Sequence, residues 1–436
     1  MKRAITRLAI WPIAAIAALL VVGSASASSP SIVTKIFNGF TWNEVYDGSK
    51  QSGMPGWTGR AGLQAVELRN RLYVMGGRTP DPKPPFNPFG STLWNDVWES
   101  RDLGLTWTQL ATPPAGPNMW AARGYFQAVT KGRAMFVLGG QDFSVAPNVG
   151  CTAPPAPFCP PFVPNSTFFN DVWRSTDGAT WERLTDNAWT AKDGTPLGRA
   201  GLSAIEFKDW IYVLGGGKGD DIAIGGSKPR QLFNDVWRSS DGKTWEQVTA
   251  QAQWKPRAGA ALVEKNGYMY LLGGEDGFAC TGSPGPLKCP YFNDVWRSRD
   301  GANWELVTEH AGWSARPGHQ CQVVFDTIVC FGGFGFSPPP PGFPPPPAPP
   351  AHPVDMWVSR DGERWEELRT EPWNATGPAE GKYDFDSLVV RGGFLGLAPS
   401  IYTFGGDREA SFTDANAALV DDEVWRFSPP WLTKKP

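Results

Sequence analysis

The chain has 436 residues, including 22 tryptophans, 50 glycines and 42 prolines, with a formal net charge of −3 and a pI of about 5.8. Length alone would allow two or three domains. The small net charge, with no long run of Lys or Arg, argues against nucleic acid and anionic membrane surfaces as partners.

The N-terminus has the pattern of a secretory signal peptide. Three basic residues among the first seven precede an apolar run over 8–22, and Ala27 closes a small-residue stretch that suits cleavage. An uncleaved membrane anchor is the alternative, but the apolar run is short for a membrane span and contains Pro12. We expect 1–27 to be removed, 28–40 to lead into the fold, and the protein to be secreted or periplasmic without membrane contact.

Eighteen tryptophans fall into three sets of six, and successive members are about 60 to 75 residues apart. One set ends an Asn-Asp-Val-Trp-like segment: Trp98, Trp173, Trp237, Trp296, Trp357 and Trp425. A second set, mostly after a Ser-x-Asp-Gly turn, is Trp107, Trp181, Trp245, Trp304 and Trp365, with Trp42 as the sixth member. The third set precedes each unit: Trp57, Trp120, Trp189, Trp254, Trp313 and Trp373. Six copies of one unit with strand-like segments predict an all-β, six-bladed β-propeller.

The fourth unit shows the predicted blade most clearly. An apolar strand starts at Arg257, turns at Asn266-Gly267 and returns to end at Gly273-Gly274. Asn-Gly is a strong hairpin signal, because both central positions of that turn need positive φ. A third strand over 292–298 and a fourth over 304–308 complete four antiparallel strands. The spacing from the Arg to the first Gly is 16 residues in five units, which indicates the same hairpin each time.

The sixth unit departs from this pattern. Its start at 379–381 lacks the Arg, an insertion breaks the 16-residue spacing, and no fourth strand follows Trp425. The segment 41–45 has the sequence of that missing strand. We therefore expect the N-terminal strand to close the ring, giving a propeller over 41–428 and a tail over 429–436, because closure removes exposed strand edges.

The six cysteines form three close pairs: Cys151 with Cys159, Cys280 with Cys289, and Cys321 with Cys330. An even count in an exported chain favours disulfides. Metal binding is the alternative, but it would need four clustered ligands, and the chain has only three histidines. We expect no metal and no cofactor. A two-residue turn at Phe325-Asp326 would place Cys321 directly opposite Cys330, within disulfide range.

The Arg-x-Gly start, the Tyr-Val-x-Gly-Gly strand end and the fixed-distance Trp resemble kelch repeats over roughly 41–428. The resemblance implies a six-bladed kelch-type propeller related to the galactose-oxidase central domain. The turn from Ser100 to Trp107 also resembles the Asp-box of sialidases, although the other copies are one residue shorter. In those families the Asp-box is a structural turn away from the active site.

The loops between the second and third strands are long and share one face with the blade-to-blade connections. Variable loops on a rigid scaffold commonly carry function, so we expect the site on this long-loop face and in the central mouth. The predicted ligand contacts are Arg60, Arg123, Arg199, Arg257, Arg316, Trp57, Trp120, Trp254 and Trp313. Tryptophan can stack on a sugar ring, and Arg can bind a carboxylate with a forked pair of hydrogen bonds. The alternative is that these Arg pair with third-strand Asp and these Trp pack between blades.

We interpret the chain as a monomeric, exported module that binds a protein or glycan on its long-loop face without catalysis. The alternative is a sugar-modifying enzyme such as a kelch-type sialic acid mutarotase or epimerase; a sialidase or copper radical oxidase is less favoured. Acid–base candidates are Asp142, Glu275, Asp276 and Asp407, which follow the Gly-Gly pairs. Carboxylates converging in the mouth beside an Arg would favour the enzyme, whereas a mouth plugged by the disulfide loops and the Pro-rich segment 337–350 would not. That segment suits a stiff spacer, or else a docking segment.

Overall fold

A computed structural model describes residues 31–50, 56–81, 90–111, 115–147, 162–220, 230–277, 289–335, 352–392, 398–408 and 419–430. The predicted signal peptide and the Pro-rich segment lie outside the described residues. Six four-stranded antiparallel sheets form a ring, which confirms the predicted six-bladed β-propeller.

The described chain begins with helix α1 (Ile32–Phe37) and strand β1 (Thr41–Tyr46). Blade I contains β2 (Gln64–Leu68), β3 (Arg71–Met75), β6 (Val97–Ser100) and β7 (Thr108–Ala111), with a ribbon of β4 (Arg78–Pro80) and β5 (Ser91–Leu93). Blade II contains β8 (Gln127–Lys131), β9 (Ala134–Leu138), β12 (Val172–Ser175) and β13 (Glu182–Thr185), with a ribbon of β10 (Val145–Pro147) and β11 (Phe162–Pro164). Blade III contains β14 (Ser203–Phe207), β15 (Trp210–Leu214), β18 (Val236–Ser239) and β19 (Glu246–Thr249), with a ribbon of β16 (Gly217–Lys218) and β17 (Gln231–Leu232).

Blade IV contains β20 (Ala261–Lys265), β21 (Tyr268–Glu275), β22 (Tyr291–Ser298) and β23 (Trp304–Thr308). Blade V contains β24 (Gln320–Val324), β25 (Thr327–Phe331), β26 (Met356–Ser359) and β27 (Glu366–Glu367), followed by 3₁₀ turns at Pro372–Asn374 and Pro378–Glu380. Blade VI contains β28 (Asp386–Gly392), β29 (Ala398–Asp407), β30 (Val420–Ser428) and, as its fourth strand, β1. The first strands of neighbouring blades contact one another around the ring.

Strand β1 closes the ring as predicted. It pairs antiparallel with β30, with Trp42 opposite Phe427. The indole of Trp42 is 3% exposed and lies 6.0 Å from the ring of Trp373 and 5.1 Å from that of Phe427. Helix α1 packs on the same apolar cluster, between blades V and VI. Among the described helices, none has the length and apolarity that a membrane crossing requires.

The hairpin of blade V carries the predicted disulfide. Phe325 and Asp326 have φ of 49° and 56°, as a two-residue hairpin turn requires. Cys321 therefore faces Cys330 across β24 and β25, and the two are disulfide-bonded with their Cα atoms 4.1 Å apart.

The other two predicted cysteine pairs fall wholly or partly outside the described residues. Cys289 is disulfide-bonded, but its predicted partner, Cys280, lies outside the described residues. Cys159 and its predicted partner, Cys151, both lie outside them. The disulfide between Cys151 and Cys159 therefore stays a prediction, unlike that between Cys321 and Cys330.

Candidate functional site

The five repeated arginines occupy equivalent buried positions, with 0–2% of each residue exposed. Each guanidinium makes a two-pronged ion pair with the Asp of its blade's third strand, with shortest N–O distances of 2.5–2.6 Å. The pairs are Arg60–Asp96, Arg123–Asp171, Arg199–Asp235, Arg257–Asp294 and Arg316–Asp355. Each Arg also donates to the carbonyl oxygen of the first Gly of the pair. These contacts correspond to the structural alternative stated above, and ligand contact by these arginines stays a prediction.

The third set of tryptophans is equally enclosed. Trp57, Trp120, Trp189, Trp254 and Trp313 are 0–2% exposed. Each meets a second-set indole edge to face, with ring centroids 5.7–6.3 Å apart. Such aromatic pairs add to the apolar packing between blades. At this burial a sugar could not stack on these indoles without a rearrangement of the described residues. Ligand contact by Trp57, Trp120, Trp254 and Trp313 also stays a prediction.

Blade VI replaces the Arg–Asp pair with Lys382 and Glu423. The backbone carbonyl of Lys382 accepts from Gly333, as the Arg carbonyls do from the preceding blades' glycines. Its ammonium lies 2.6 Å from Glu423, which in turn accepts from the Trp425 indole. The sequence alone aligns 379–381 with the blade start, whereas the structure places Lys382 there. With Lys382 aligned to the repeated Arg, the residue two positions further on in blade VI is Asp384.

The position two residues after the repeated Arg or Lys forms a closed ring of backbone hydrogen bonds around the central channel. The ring runs through Gly62, Tyr125, Gly201, Gly259, Gly318 and Asp384, with each N–H donating to the preceding member over 2.8–3.2 Å. All six have φ between 51° and 65°, a region that favours glycine. Tyr125 and Asp384 are therefore exceptions, and non-glycine residues held at positive φ concentrate at functional sites.

Both exceptions place side chains over neighbouring glycines of the ring. A Cβ on Gly62 would lie 3.3 Å from the Tyr125 ring, and a Cβ on Gly318 would lie 2.6 Å from Asp384 Oδ1. Glycine at these two positions leaves the space that the two functional groups occupy. The Tyr125 hydroxyl lies close enough to the Asp384 carboxyl to favour the charged form of that carboxyl and so lower its pKa.

A second layer lies above this ring and consists of the residues that directly follow each Gly-Gly pair. These are Arg78, Gln141, Gly217, Glu275, Phe334 and Asp407. Each is hydrogen-bonded through its backbone to the residue that follows the repeated Arg or Lys. Five of the six line a cavity on the long-loop face, and the sixth, Asp407, binds Arg78.

The cavity has a volume of about 150 Å³, with the ring at Tyr125, Gly201, Gly259, Gly318 and Asp384 in its lining. On this measure one water needs about 10–15 Å³, so the space corresponds to roughly ten waters, the size of a monosaccharide. Aromatic rings contribute much of the wall: Tyr125, Phe143, Phe168, Phe334 and Tyr383. A mostly apolar pocket with a few convergent polar groups is typical of a small-molecule site.

One polar group of the cavity spans blades VI, I and II. Arg78 donates to Asp407 over 2.8 Å and, through Nε, to the Tyr125 hydroxyl over 3.3 Å. Tyr125 in turn interacts with Asp384, so the four side chains influence one another electrostatically. Removal from bulk water, helped by the charges of Asp407 and Glu275, raises the pKa of Asp384 to about 7, against the opposing effects of Tyr125 and Arg78. Burial likewise raises the pKa of Tyr125 well above its ordinary value.

A second polar group lies on the side of blades III and IV. Arg230 makes an ion pair with Glu275, which is 2% exposed. Asp220, which is 7% exposed, accepts from the backbone N–H of Ser166 over 3.0 Å and from its hydroxyl over 2.7 Å. The cavity therefore lies between two polar groups, with aromatic rings in the wall between them.

Of the four acid–base candidates from the sequence, Glu275 lines the cavity and Asp407 lies behind Arg78. Asp142 accepts from backbone N–H groups of its own loop, and neither it nor the exposed Asp276 lines the cavity. Sequence reasoning missed Asp384 and Tyr125. The available signal was that they stand where four blades have glycine. No group of three or more His, Cys, Asp and Glu side chains in the described ranges is arranged to hold a metal ion.

No protein family model matches the chain, and no curated protein matches it. A search of solved structures finds the structure of YjhT, with a TM-score of 0.53 and 14% sequence identity. The match covers 85% of this chain and 96% of that one. At this identity the likeness shows the propeller fold alone.

Proposed function

We propose that this propeller binds a small carbohydrate in its central cavity and catalyses the interconversion of its anomers. The observation that carries the proposal is the placement of Asp384 and Tyr125, which interact in the cavity lining and stand at the two ring positions where glycine is replaced. A carboxyl with a pKa of about 7 can both accept and return a proton near neutral pH. Asp384 and Asp407 lie near Arg78, and Glu275 pairs with Arg230, which supports an enzyme by the criterion that carboxylates converge in the mouth beside an Arg.

The proposed reaction needs one proton to leave and one to arrive. The Asp384 carboxylate takes the proton of the anomeric hydroxyl while the bond between the anomeric carbon and the ring oxygen breaks. The Tyr125 hydroxyl gives its proton to the ring oxygen, producing the open-chain carbonyl form. The open-chain form then turns the other face of its carbonyl toward the ring-closing hydroxyl, while Asp384 keeps its proton and Tyr125 stays deprotonated. Ring closure on the other face of the carbonyl reverses these transfers, so no proton is gained or lost.

Arg78 supports the same step electrostatically. Its Nε–H donates to the Tyr125 oxygen, where negative charge develops as the phenolic proton leaves. The ion pair with Asp407 fixes the guanidinium, since Arg78 and Asp407 are 6% and 0% exposed. Aromatic faces in the wall can stack on the sugar ring, which supports a carbohydrate as the ligand.

We also propose that the protein works after export. The disulfide between Cys321 and Cys330 supports this location, because disulfides persist mainly in oxidising compartments. The kelch-like repeat supports the proposed activity, since that resemblance suggested a sugar mutarotase as the catalytic alternative.

The test is the rate of anomer exchange, measured by NMR on a neutral, an amino and an acidic hexose with the mature chain. We expect acceleration with at least one sugar and a loss of about 10²- to 10⁴-fold in Asp384→Asn, the usual contribution of general acid–base catalysis. Asp142→Asn is the matched control, because Asp142 holds a loop of the same face outside the cavity lining. No acceleration with any sugar, or full activity in Asp384→Asn, would contradict the proposal.

Sugar binding without acceleration would instead support the non-catalytic module that the sequence favoured. Tyr125→Phe then separates the two roles within the site, because it keeps the ring and the packing against Phe143, 5.4 Å away, but removes the hydroxyl. An enzyme loses turnover in this variant, whereas a binding module keeps most of its affinity.

A further inference from the structure

We infer that the natural ligand of the cavity carries a positive charge, as in an amino sugar whose amine is protonated. The inference rests on the proposed function, because it names the class of sugar that the same cavity takes. It also differs from the acidic sugar that the arginine-rich repeats suggested.

The first observation is the charge balance of the site. The described side chains that line the cavity or bind its lining include two cations, Arg78 and Arg230. Each is in an ion pair, the first with Asp407 and the second with Glu275. Asp220 and Asp384 are two further carboxyl groups in the lining, and neither has an ion pair to Lys or Arg in the described residues. A ligand carboxylate would have to displace existing ion pairs, whereas an ammonium would meet the Asp220 carboxylate, which has no such pair in the described residues.

The second observation is the placement of these two carboxyl groups. Asp220 follows β16 of blade III, and Asp384 precedes β28 of blade VI. These blades are three positions apart in a ring of six, so the two groups approach the cavity from opposite sides. One side chain can therefore bind the ammonium while the other transfers protons. Asp220 is suited to the first role, because the Ser166 backbone and hydroxyl already orient both of its oxygens.

The third observation is the aromatic wall. Five rings, Tyr125, Phe143, Phe168, Phe334 and Tyr383, line the cavity. The negative face of an aromatic ring attracts a cation, and this attraction grows when water is excluded. Carboxylates combined with aromatic faces favour an organic cation over both a neutral and an anionic sugar of the same size.

Isothermal titration calorimetry near neutral pH with three matched hexoses tests the inference. The probes are glucosamine, glucose and glucuronate, which share a ring and differ in charge. We expect glucosamine to bind at least about tenfold more tightly than glucose, and glucuronate to bind more weakly than glucose. The preference for glucosamine should shrink as salt is added, because salt screens charges.

Two variants locate the effect. Asp220→Asn should reduce the preference to about twofold while leaving glucose affinity nearly unchanged, and Asp220→Glu should retain it. Asp142 is a carboxylate in the neighbouring loop, and Asp142→Asn should keep the full preference for glucosamine over glucose. Thermal melting of each variant shows whether the fold is intact. Should Asp220→Asn fail to fold, the wild-type comparison of the three sugars still decides the matter.

Equal binding of glucose and glucosamine, or tighter binding of glucuronate, would overturn the charge inference while leaving a sugar site in place. No binding of any of the three would overturn the carbohydrate proposal itself, and the inference with it. The two failures are therefore distinguishable in one set of titrations.

Discussion

Replacing Asp384 with glycine restores the repeated residue at its position, and it should abolish activity while making the folded protein more stable above neutral pH. Asp384 has a φ of 51°, where the four glycines of the ring lie between 60° and 65°. The variant therefore needs no backbone change. It removes a carboxyl that burial keeps protonated up to about pH 7.

At acid pH, where the carboxyl is neutral, three contributions determine the change in the free energy of unfolding. Releasing a non-glycine residue from positive φ gains about 1–2 kcal/mol. The greater freedom of glycine in the unfolded chain costs about 0.5–1 kcal/mol. Losing the polar interaction with Tyr125 costs up to about 1 kcal/mol. These terms nearly cancel, so the free energy of unfolding should change by no more than about 1 kcal/mol.

At higher pH, the ionisation of Asp384 adds a fourth contribution to the difference in the free energy of unfolding. The folded-state pKa of about 7 exceeds the ordinary value of 3.8, so the folded protein holds a proton that the unfolded chain has lost. Wild-type stability must therefore fall as the pH rises from about 4 to about 7. The full shift corresponds to about 4 kcal/mol. The carboxyl is partly open to the cavity, and screening by water reduces the expected loss to about 2 kcal/mol.

Urea denaturation of both proteins at about pH 5 and about pH 8 measures this difference. The variant should lie within about 1 kcal/mol of the wild type at the lower pH, where the loss has only begun, and exceed it by about 2 kcal/mol at the higher pH. Asp386, whose pKa burial also raises to about 7, is present in both proteins and cancels from the comparison. A stability difference between the two proteins that does not change with pH would refute the raised pKa of Asp384.

Other positions give three independent tests. Gly318→Ala should lower the rate of anomer exchange, because its Cβ would lie 2.6 Å from Asp384 Oδ1. The control Gly259→Ala, with φ of 62° and nearest contacts of 3.3 Å, should cost similar stability and leave the rate unchanged. Equal exchange rates in the two variants would contradict the role of Gly318 in positioning Asp384. Arg257→Ala should lower the free energy of unfolding by about 2–4 kcal/mol, because it leaves the largely enclosed Asp294 carboxylate unpaired, without changing sugar affinity. Lost affinity at unchanged stability would make Arg257 a ligand contact. Trp42→Ala should cost about 3–5 kcal/mol in the same denaturation assay, because the indole fills the closing seam, and a change below about 1 kcal/mol would argue against ring closure by β1.

The fold could be predicted from the sequence because the residues that stabilise it recur from blade to blade. The Arg–Asp pairs, the hairpins and the Trp spacing occur in blade after blade, so each copy supports the others. The closing strand was predictable for the same reason, since Trp42 supplied the one member missing from a set of six. Burial and ion pairing of the repeated Arg and Trp were anticipated as the structural alternative.

The candidate site was much harder to predict from the sequence than the fold, because its residues depart from the repeat. Tyr125 and Asp384 stand in a column of glycines, and Asp384 enters that column only once Lys382 is aligned with the repeated Arg. Arg230 and Asp220 come from a loop with no counterpart in the sequence of the other blades. Nothing in the local sequence of Asp384 indicates a pKa near 7, since that shift depends on side chains from blades I, II, IV and VI meeting at the channel.

The pH dependence of anomer exchange, measured on wild type and Asp384→Asn with the sugar that binds best, tests the central claim most directly. If the Asp384 carboxylate is the base, the wild-type rate must rise with pH and level off above about 7, and the variant must lose that rise along with most of its rate. A wild-type profile with no inflection near pH 7, or one that Asp384→Asn retains, would contradict the assignment of this cavity as an acid–base site.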